Sequence, residues 1–471
     1  MPPATRPDNG LRLRKMSENM QQLYEERLGR YQGAICFAPI DRIPIAVGSN
    51  TFAETYAGTT KQEVLYDPQK WLEGEIKFCR DFPEVDVLRN SRFWAPIYDA
   101  VGYKIYKLPG RDLPPEIPIQ FVEVENMMAD EYDELIANPT RFLLERFLPR
   151  VFSELSKGPA RSHFAMLKAG LAQARFGDVM RNRSIQLQTQ CGMPQPMTGA
   201  FMAPFDVIGD TMRGMRGIFK DMVRQPEKVL EACEVLTPIM VRFAVSTADP
   251  LRRYPIFVPT HKPTFMSPKN FDRLYWPSFK KTLQGIIDAG HRVRCYMEGD
   301  WSRHWHHFLE LPKGSMLLDI DDPADNIFKA KKEIGHHMAI AGGISSTMFI
   351  LGTPDEMSAR VKLLCETVAV DGGFALSGPC YIPQNTKVEN YRAMVDAATT
   401  YGWYSKDITP KPLDPLPITR PVGSVGEKGM LTPWALKKAE LGGVTGNEEL
   451  IRMPWESLEE MASNWLWNWI F

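Results

Sequence analysis

The chain has 471 residues, 44% apolar and 24% charged, too apolar for disorder and long enough for two or three average domains or one large barrel with additions. Lys and Arg number 56 against 57 Asp and Glu, a net charge of -1, which lacks the basic excess of a general nucleic-acid binder. No apolar run approaches the roughly 18 residues of a membrane span; the N-terminal MPPATRPDNGLRLRK has no apolar core of a secretory signal; and seven dispersed cysteines without CxxC read as reduced thiols of a cytoplasmic protein.

In chain order, SENMQQLYEERLGRY predicts an N-terminal helix capped by Ser17, with a solvated charged face. Eight short β-type runs follow: 43–47, 85–89, 198–202, 255–259, 293–298, 315–320, 337–342 and 373–377. The later ones alternate with clear helical stretches. FDRLYWPSFKKTLQGIIDAG is opened by Ser267-Pro268, broken or kinked at Pro277 and ended by Gly290; Thr353-Pro354 opens another helix. Alternation of this kind indicates βαβ units, and eight strands over about 370 residues favour a closed (β/α)8 TIM barrel over an open sheet. The absence of GxGxxG and GxxxxGK[ST] weakens a dinucleotide or ATP reading. Residues 95–125 break the alternation and predict a β-hairpin insertion, and 126–185 an extra helical region.

After Tyr404 the composition changes. Five prolines by Pro421 predict an extended linker, and five of the eleven tryptophans fall in the last 38 residues. Those rings must bury against the barrel or a sister subunit, or against a membrane surface, with protein packing the favoured reading. The chain thus divides into an N-terminal helical segment (1–34), a barrel with a hairpin and helical insertion (35–404), and a Pro- and Trp-rich C-terminal extension (405–471).

Reactive residues of such barrels gather at the C-terminal strand ends. Three potential zinc ligands stand there: His261 after strand 255–259, Glu298 closing strand 293–298, and Cys380 after strand 373–377. Imidazole, carboxylate and thiolate with one open position match catalytic zinc. The alternatives are a backbone-bonded loop histidine, a carboxylate paired with a base such as Lys262, and an inert buried thiol. Cys295 is offset by three from Glu298 and should face the opposite side. His304 and His307 are three apart on a predicted helix and read as structural, as do His291 and His336-His337. Asp321-Asp322 read as a helix cap or substrate contact.

The stretches 212–238, 265–290, YMEGDW (296–301), 310–335 and 352–402 resemble the uroporphyrinogen decarboxylase superfamily, and within it the corrinoid-linked methyltransferase and O-demethylase branch. The resemblance covers roughly residues 35–404. It implies a (β/α)8 barrel with its active site at the C-terminal mouth. The zinc-binding His-x-Cys pair of the coenzyme M-type relatives falls on Tyr296-Met297-Glu298, so Glu298 replaces the Cys; the later Cys corresponds to Cys380, and His261 matches an upstream ligand of the demethylase branch. The Arg-rich segment that grips a polycarboxylate is replaced by DRIPIAVGSNTFAETY (41–56). Arg42 is expected at the barrel bottom. The mouth offers Ser49, Asn50, Phe52 and Tyr56, a mostly uncharged wall suited to a smaller, partly apolar substrate.

The resemblance implies a zinc-dependent methyltransferase moving a methyl group between a small methylated, for example methoxy-aromatic, donor or acceptor and a corrinoid (cobalamin). No DxHxxG is present, so the corrinoid is expected on a separate protein. In this reading Glu298, His261 and Cys380 hold zinc, Asn50, Phe52, Phe201, Met202 and Phe205 line the substrate, and Asp206 hydrogen-bonds the substrate or protonates the leaving group. Two alternatives stand beside it: a metal-free decarboxylase or lyase on the same barrel, and a non-catalytic scaffold docking a partner, or forming a homo-oligomer, through the C-terminal tail.

Overall fold

The computed structural model describes residues 16–46, 52–88, 94–321, 326–378, 382–422 and 432–470. Asn50, Asp322 and Cys380 lie outside the described residues. Two short strands, β1 (Tyr106–Lys107) and β2 (Gln120–Phe121), pair antiparallel. Five longer ones, β3 (Ile256–Thr260), β4 (Val293–Glu298), β5 (Met316–Asp321), β6 (Ala339–Gly343) and β7 (Phe374–Ser377), form a parallel sheet in sequence order.

Backbone hydrogen bonds carry this sheet around into a ring. Ala46 N–H donates to Leu376 and Leu376 N–H to Pro44, both at 2.9 Å; Asp86 N–H reaches Ile45 at 3.0 Å and Leu88 N–H reaches Pro194 at 3.4 Å. Thr198 N–H then donates to Pro255 and Phe201 N–H to Phe257, each at 3.0 Å. The eight predicted runs are therefore the staves of a (β/α)8 barrel. Segments 43–46, 85–88 and 198–201 have fewer ladder bonds than the other five, which is why they are the least regular strands.

Alternation along the strands separates two environments. Cys295 and Met297 pack outward with Phe279, Leu283 and the other apolar residues of helix Trp276–Asp288, so Cys295 does face away from Glu298. Leu317, Ala339, Ala341 and Ala375 face inward and meet Tyr31 and Ile35. Helix Glu18–Cys36 thus plugs the barrel bottom. Only its first two turns keep the expected solvated face; Arg27 and Arg30 are buried. They tolerate burial because they are paired. Arg30 Nη1 lies 2.6 Å from Asp86 and its Nε 2.7 Å from Asp41, Arg42 Nη1 lies 2.8 Å from Asp86, and Arg27 donates to the Gly192 carbonyl. Arg42 is at the bottom, as expected from its place before the first strand.

Pro277 falls in the first turn of helix Trp276–Asp288, directly after a π-helical segment, Phe271–Tyr275. The wide turn absorbs the missing amide, so the helix is interrupted there but not ended. The insertion departs from expectation at its start: residues 95–101 form a helix, Ala95–Val101, with Pro96 at its first turn, where proline's lack of an N–H costs nothing. Only two residue pairs of true hairpin follow. Helix Pro159–Cys191, 33 residues long, dominates the rest of the insertion.

The proline-rich segment is extended but pinned under the barrel. Leu413 N–H donates to Gln32 at 2.7 Å, Thr419 N–H to Asp288 at 2.8 Å, and Arg252 Nη1 to the Leu416 carbonyl at 3.0 Å. It delivers helix Glu449–Trp469 to the insertion, where Trp467 Nε1 donates to Thr140 at 3.3 Å and Trp469 Nε1 to Gln173 at 3.1 Å. These rings bury on the insertion helices, not on the barrel itself. Among the described residues no helix is long and apolar enough to cross a membrane.

Candidate active site at the barrel mouth

The parallel register sets up the site. Thr260 of β3 is paired with Met297 of β4, so the next residue on each strand, His261 and Glu298, stand opposite one another at the C-terminal rim. Imidazole Nε2 lies 3.7 Å from Glu298 Oε2. That is too long for a hydrogen bond. It is close to the separation of roughly 3.3–3.5 Å that two ligand atoms at about 2.0–2.2 Å from one zinc would have in a tetrahedral site.

The other imidazole nitrogen is committed. Nδ1 lies 2.6 Å from Oδ2 of Asp210. A carboxylate here can only accept, so Nδ1 carries a proton and Nε2 is the ring nitrogen that faces Glu298. This is the carboxylate–histidine arrangement that orients metal-binding imidazoles. The second oxygen of Asp210 takes the ammonium of Lys262. Lys262 reaches it by passing over Gly209, where a Cβ would lie 3.1 Å from the lysine Cε and would crowd it. Burial pushes the Lys262 ammonium below its usual pKa, against the pull of Asp206, Glu123 and Glu298.

Asp206, on the turn after segment 198–201, is fully buried. Its Oδ2 accepts from the Tyr275 hydroxyl at 2.7 Å and from the His261 backbone N–H at 3.3 Å. Among the described residues its Oδ1 has no hydrogen-bond partner, an unsatisfied buried acceptor of the kind that marks a ligand position or a strained site. Tyr275 is itself fully buried, and burial together with the Asp206 carboxylate holds its phenol well above the ordinary tyrosine range. It is a neutral donor.

Below the rim, the inner face of the barrel is a stack of polar pairs. Arg294 Nε lies 2.6 Å and its Nη2 2.8 Å from the Asp319 carboxylate. One step higher, the Tyr296 hydroxyl meets Asp321. Glu298 is the topmost inward residue of β4, with about half its side chain exposed.

Of the residues expected to form an apolar wall, one has a ring contact with the site. Phe201, Met202 and Phe205 are buried, and the Phe205 ring lies 5.6 Å from that of Tyr275, next to Asp206. Phe52 stands elsewhere, among Tyr56, Phe78 and Tyr391 at ring distances of 5.1–6.0 Å. Among the described residues no group of three His, Cys, Asp or Glu side chains converges on one point. His261 and Glu298 are residue types that bind zinc and lie 3.7 Å apart; the third expected ligand, Cys380, lies outside the described residues.

His304 and His307 belong to the surrounding structure. Residues 305–310 are a 3-10 helix, His304 stacks on Phe271 at 4.2 Å, and His307 lies between Asp272 at 2.9 Å and Glu310 at 3.1 Å. Sequence reasoning did not single out Asp210 or Tyr275. The one available signal for Asp210 was its position four residues after Asp206, on the same helical turn at the mouth.

Residues 180–401 match the family model described as uroporphyrinogen decarboxylase (URO-D). No curated protein matches the chain. Among solved structures, one named "methyltransferase from Methanosarcina mazei" is similar, with a TM-score of 0.53 and 17% identity, over 79% of this chain and 98% of that one. At that identity the likeness speaks for the fold alone. The matched span holds the five-stranded sheet and the residues gathered around His261, and over that span the chain is similar to the uroporphyrinogen decarboxylase family.

Proposed function

We propose that this protein is a zinc-dependent methyltransferase that moves a methyl group between a small methylated substrate, such as a methoxy-aromatic compound, and the cobalt of a corrinoid carried on a separate protein. The carrying observation is the His261–Glu298 pair, 3.7 Å apart, with Asp210 holding the histidine from behind. The match of residues 180–401 to the URO-D family model and the fold likeness to a protein named as a methyltransferase support an enzyme with its site at this mouth.

His261 and Glu298, joined by Cys380 from the loop after β7, would hold the ion. Zinc supplies Lewis acidity toward the oxygen that must leave as an alkoxide or phenolate. Asp210 fixes the tautomer and ring plane of His261, and Lys262 fixes Asp210. Phe201, Met202 and Phe205 keep water from the reacting oxygen. The unpartnered Oδ1 of Asp206 accepts from a substrate hydroxyl or, when protonated, donates to the leaving oxygen. The same residues serve transfer in either direction. The corrinoid is the nucleophile or methyl donor, and the barrel contributes positioning.

Metal analysis of the purified chain, paired with a methyl-transfer assay against a corrinoid protein, tests the reading. Near-stoichiometric zinc is expected, lost together with turnover in Cys380→Ala. A metal-free chain with full activity, or one that releases carbon dioxide from a carboxylated substrate without any corrinoid, defeats it.

A further inference from the structure

Helix Gly214–Arg224 follows directly on the π-helical turn that carries Asp210. Its inner face, with Ile218, Asp221 and Met222, is buried. Asp221 ties it down, accepting from Arg213 Nε at 2.5 Å and from the Tyr132 hydroxyl at 3.0 Å. The outer face carries two parallel stripes at helical spacing. Met215, Phe219 and Val223 make an apolar one, with Val223 80% exposed. Arg216, Lys220 and Arg224 make a basic one, and all three are exposed.

These cations are unused. Among the described residues none of the three has an ion pair or a hydrogen bond, whereas nearby Lys228 is paired with Asp133 and Arg273 with Glu227. Both stripes line one open groove of about 640 Å³. Glu123 lines it too, but its Oε1 accepts from the Met215 backbone N–H at 2.5 Å, so this carboxylate is committed to the first turn of the helix. Glu123 also pulls on the Lys262 ammonium that holds Asp210, which puts the groove beside the barrel mouth.

The layout of the charge selects the occupant. At 1.5 Å rise per residue the basic row is about 12 Å long, with steps of about 6 Å. Its members stand in a line and do not converge on one point, as the donors around a phosphate do. Carboxylates on successive turns of a second helix have the same step, and an apolar row beside them would lie on Met215, Phe219 and Val223, which is how an amphipathic helix fills a groove. A lipid surface fits less well. A helix lying on a bilayer pushes its apolar face outward, but Met215 and Phe219 are half-buried inside the groove.

We propose that this groove is the docking site for an acidic amphipathic helix of a partner protein. Ion pairs to Arg216, Lys220 and Arg224 set its register, and contact with the apolar stripe supplies the burial. The site is separate from the His261–Glu298 pair and needs no metal there.

Fluorescence anisotropy on the full chain tests this with a labelled, Ala-rich helical peptide of about 18 residues that carries Glu on every fourth position and a Leu row beside it. Saturable binding that weakens as salt is raised is expected. Lys220→Glu with Arg224→Glu, and separately Val223→Asp, should each weaken it by about tenfold or more with circular dichroism unchanged. Lys168→Glu with Arg175→Glu, exposed cations of helix Pro159–Cys191, should leave it unchanged. A peptide with Lys in place of its Glu row should bind the Lys220→Glu, Arg224→Glu chain better than the wild type. No saturable binding, equal binding of a scrambled peptide of the same composition, groove variants that bind like the wild type, or groove-dependent binding of ATP or of anionic phospholipid vesicles tighter than that of the peptide each overturns the proposal.

Discussion

Asp210 lies 2.6 Å from Nδ1 of His261, while its other oxygen holds the buried ammonium of Lys262. The imidazole is thus fixed in one tautomer before any ligand arrives, and its free nitrogen is aimed at Glu298. Removing that support should matter even though Asp210 touches no reacting atom. Asp210→Ala is expected to weaken zinc affinity by roughly 10–100-fold, read by competition with a chromogenic chelator, with the fold intact by circular dichroism. Unchanged affinity would remove Asp210 from the site.

Glu298 and His261 come from adjacent strands and are both partly exposed, so their replacement should leave stability nearly untouched. His261→Ala and Glu298→Gln are each expected to shift the melting temperature little and to abolish stoichiometric metal. A variant that keeps its zinc would show that the ion sits elsewhere.

Glu54 is fully buried, its Oε1 has no hydrogen-bond partner among the described residues, and Lys61 Nζ lies 3.6 Å from Oε2. Burial pushes its pKa up to about 8, against the pull of Lys61. The folded protein therefore keeps a proton that the unfolded chain has already lost between the usual glutamate value and about pH 8. The stability it contributes is complete at low pH and is lost as pH rises through that window, by up to about 1.4 kcal/mol per unit. Glu54→Gln should match the wild type near pH 5 and melt higher at pH 9. Parallel melting curves across that range would contradict the assignment.

Asp86 is fully buried between Arg30 and Arg42 and also accepts from the Ile45 backbone N–H at 2.7 Å. Asp86→Ala would leave two guanidinium groups in the barrel floor without this partner. The expected loss is about 3–5 kcal/mol, measured by urea denaturation. A loss below about 1 kcal/mol would mean that water reaches the arginines.

Tyr275→Phe tests the wall behind the site. It strips the buried Asp206 of a side-chain donor, and should cost about 1–3 kcal/mol of stability and change the pH profile of turnover. A shift in stability alone would make Tyr275 a packing residue.

The barrel was legible in the sequence because strand period, Pro and Gly punctuation and βαβ alternation are local signals, and all eight runs lie on the ring. His261, Glu298 and Cys380 were chosen as ligand types at strand ends, with family resemblance supporting the set. What sequence could not give is whatever depends on register and on distant packing. The pairing of Thr260 with Met297 decides that His261 meets Glu298, and no local pattern encodes it. Asp210 looks like any surface carboxylate on a helix until the fold brings it against the histidine ring. The charged half of the N-terminal helix reads as solvated because local sequence cannot show that Asp41 and Asp86 wait to neutralise it. The tryptophans of the tail announced burial by their size, but the surface that receives them is built from helices 296 to 327 residues earlier in the chain, and only chain folding determines which surface that is.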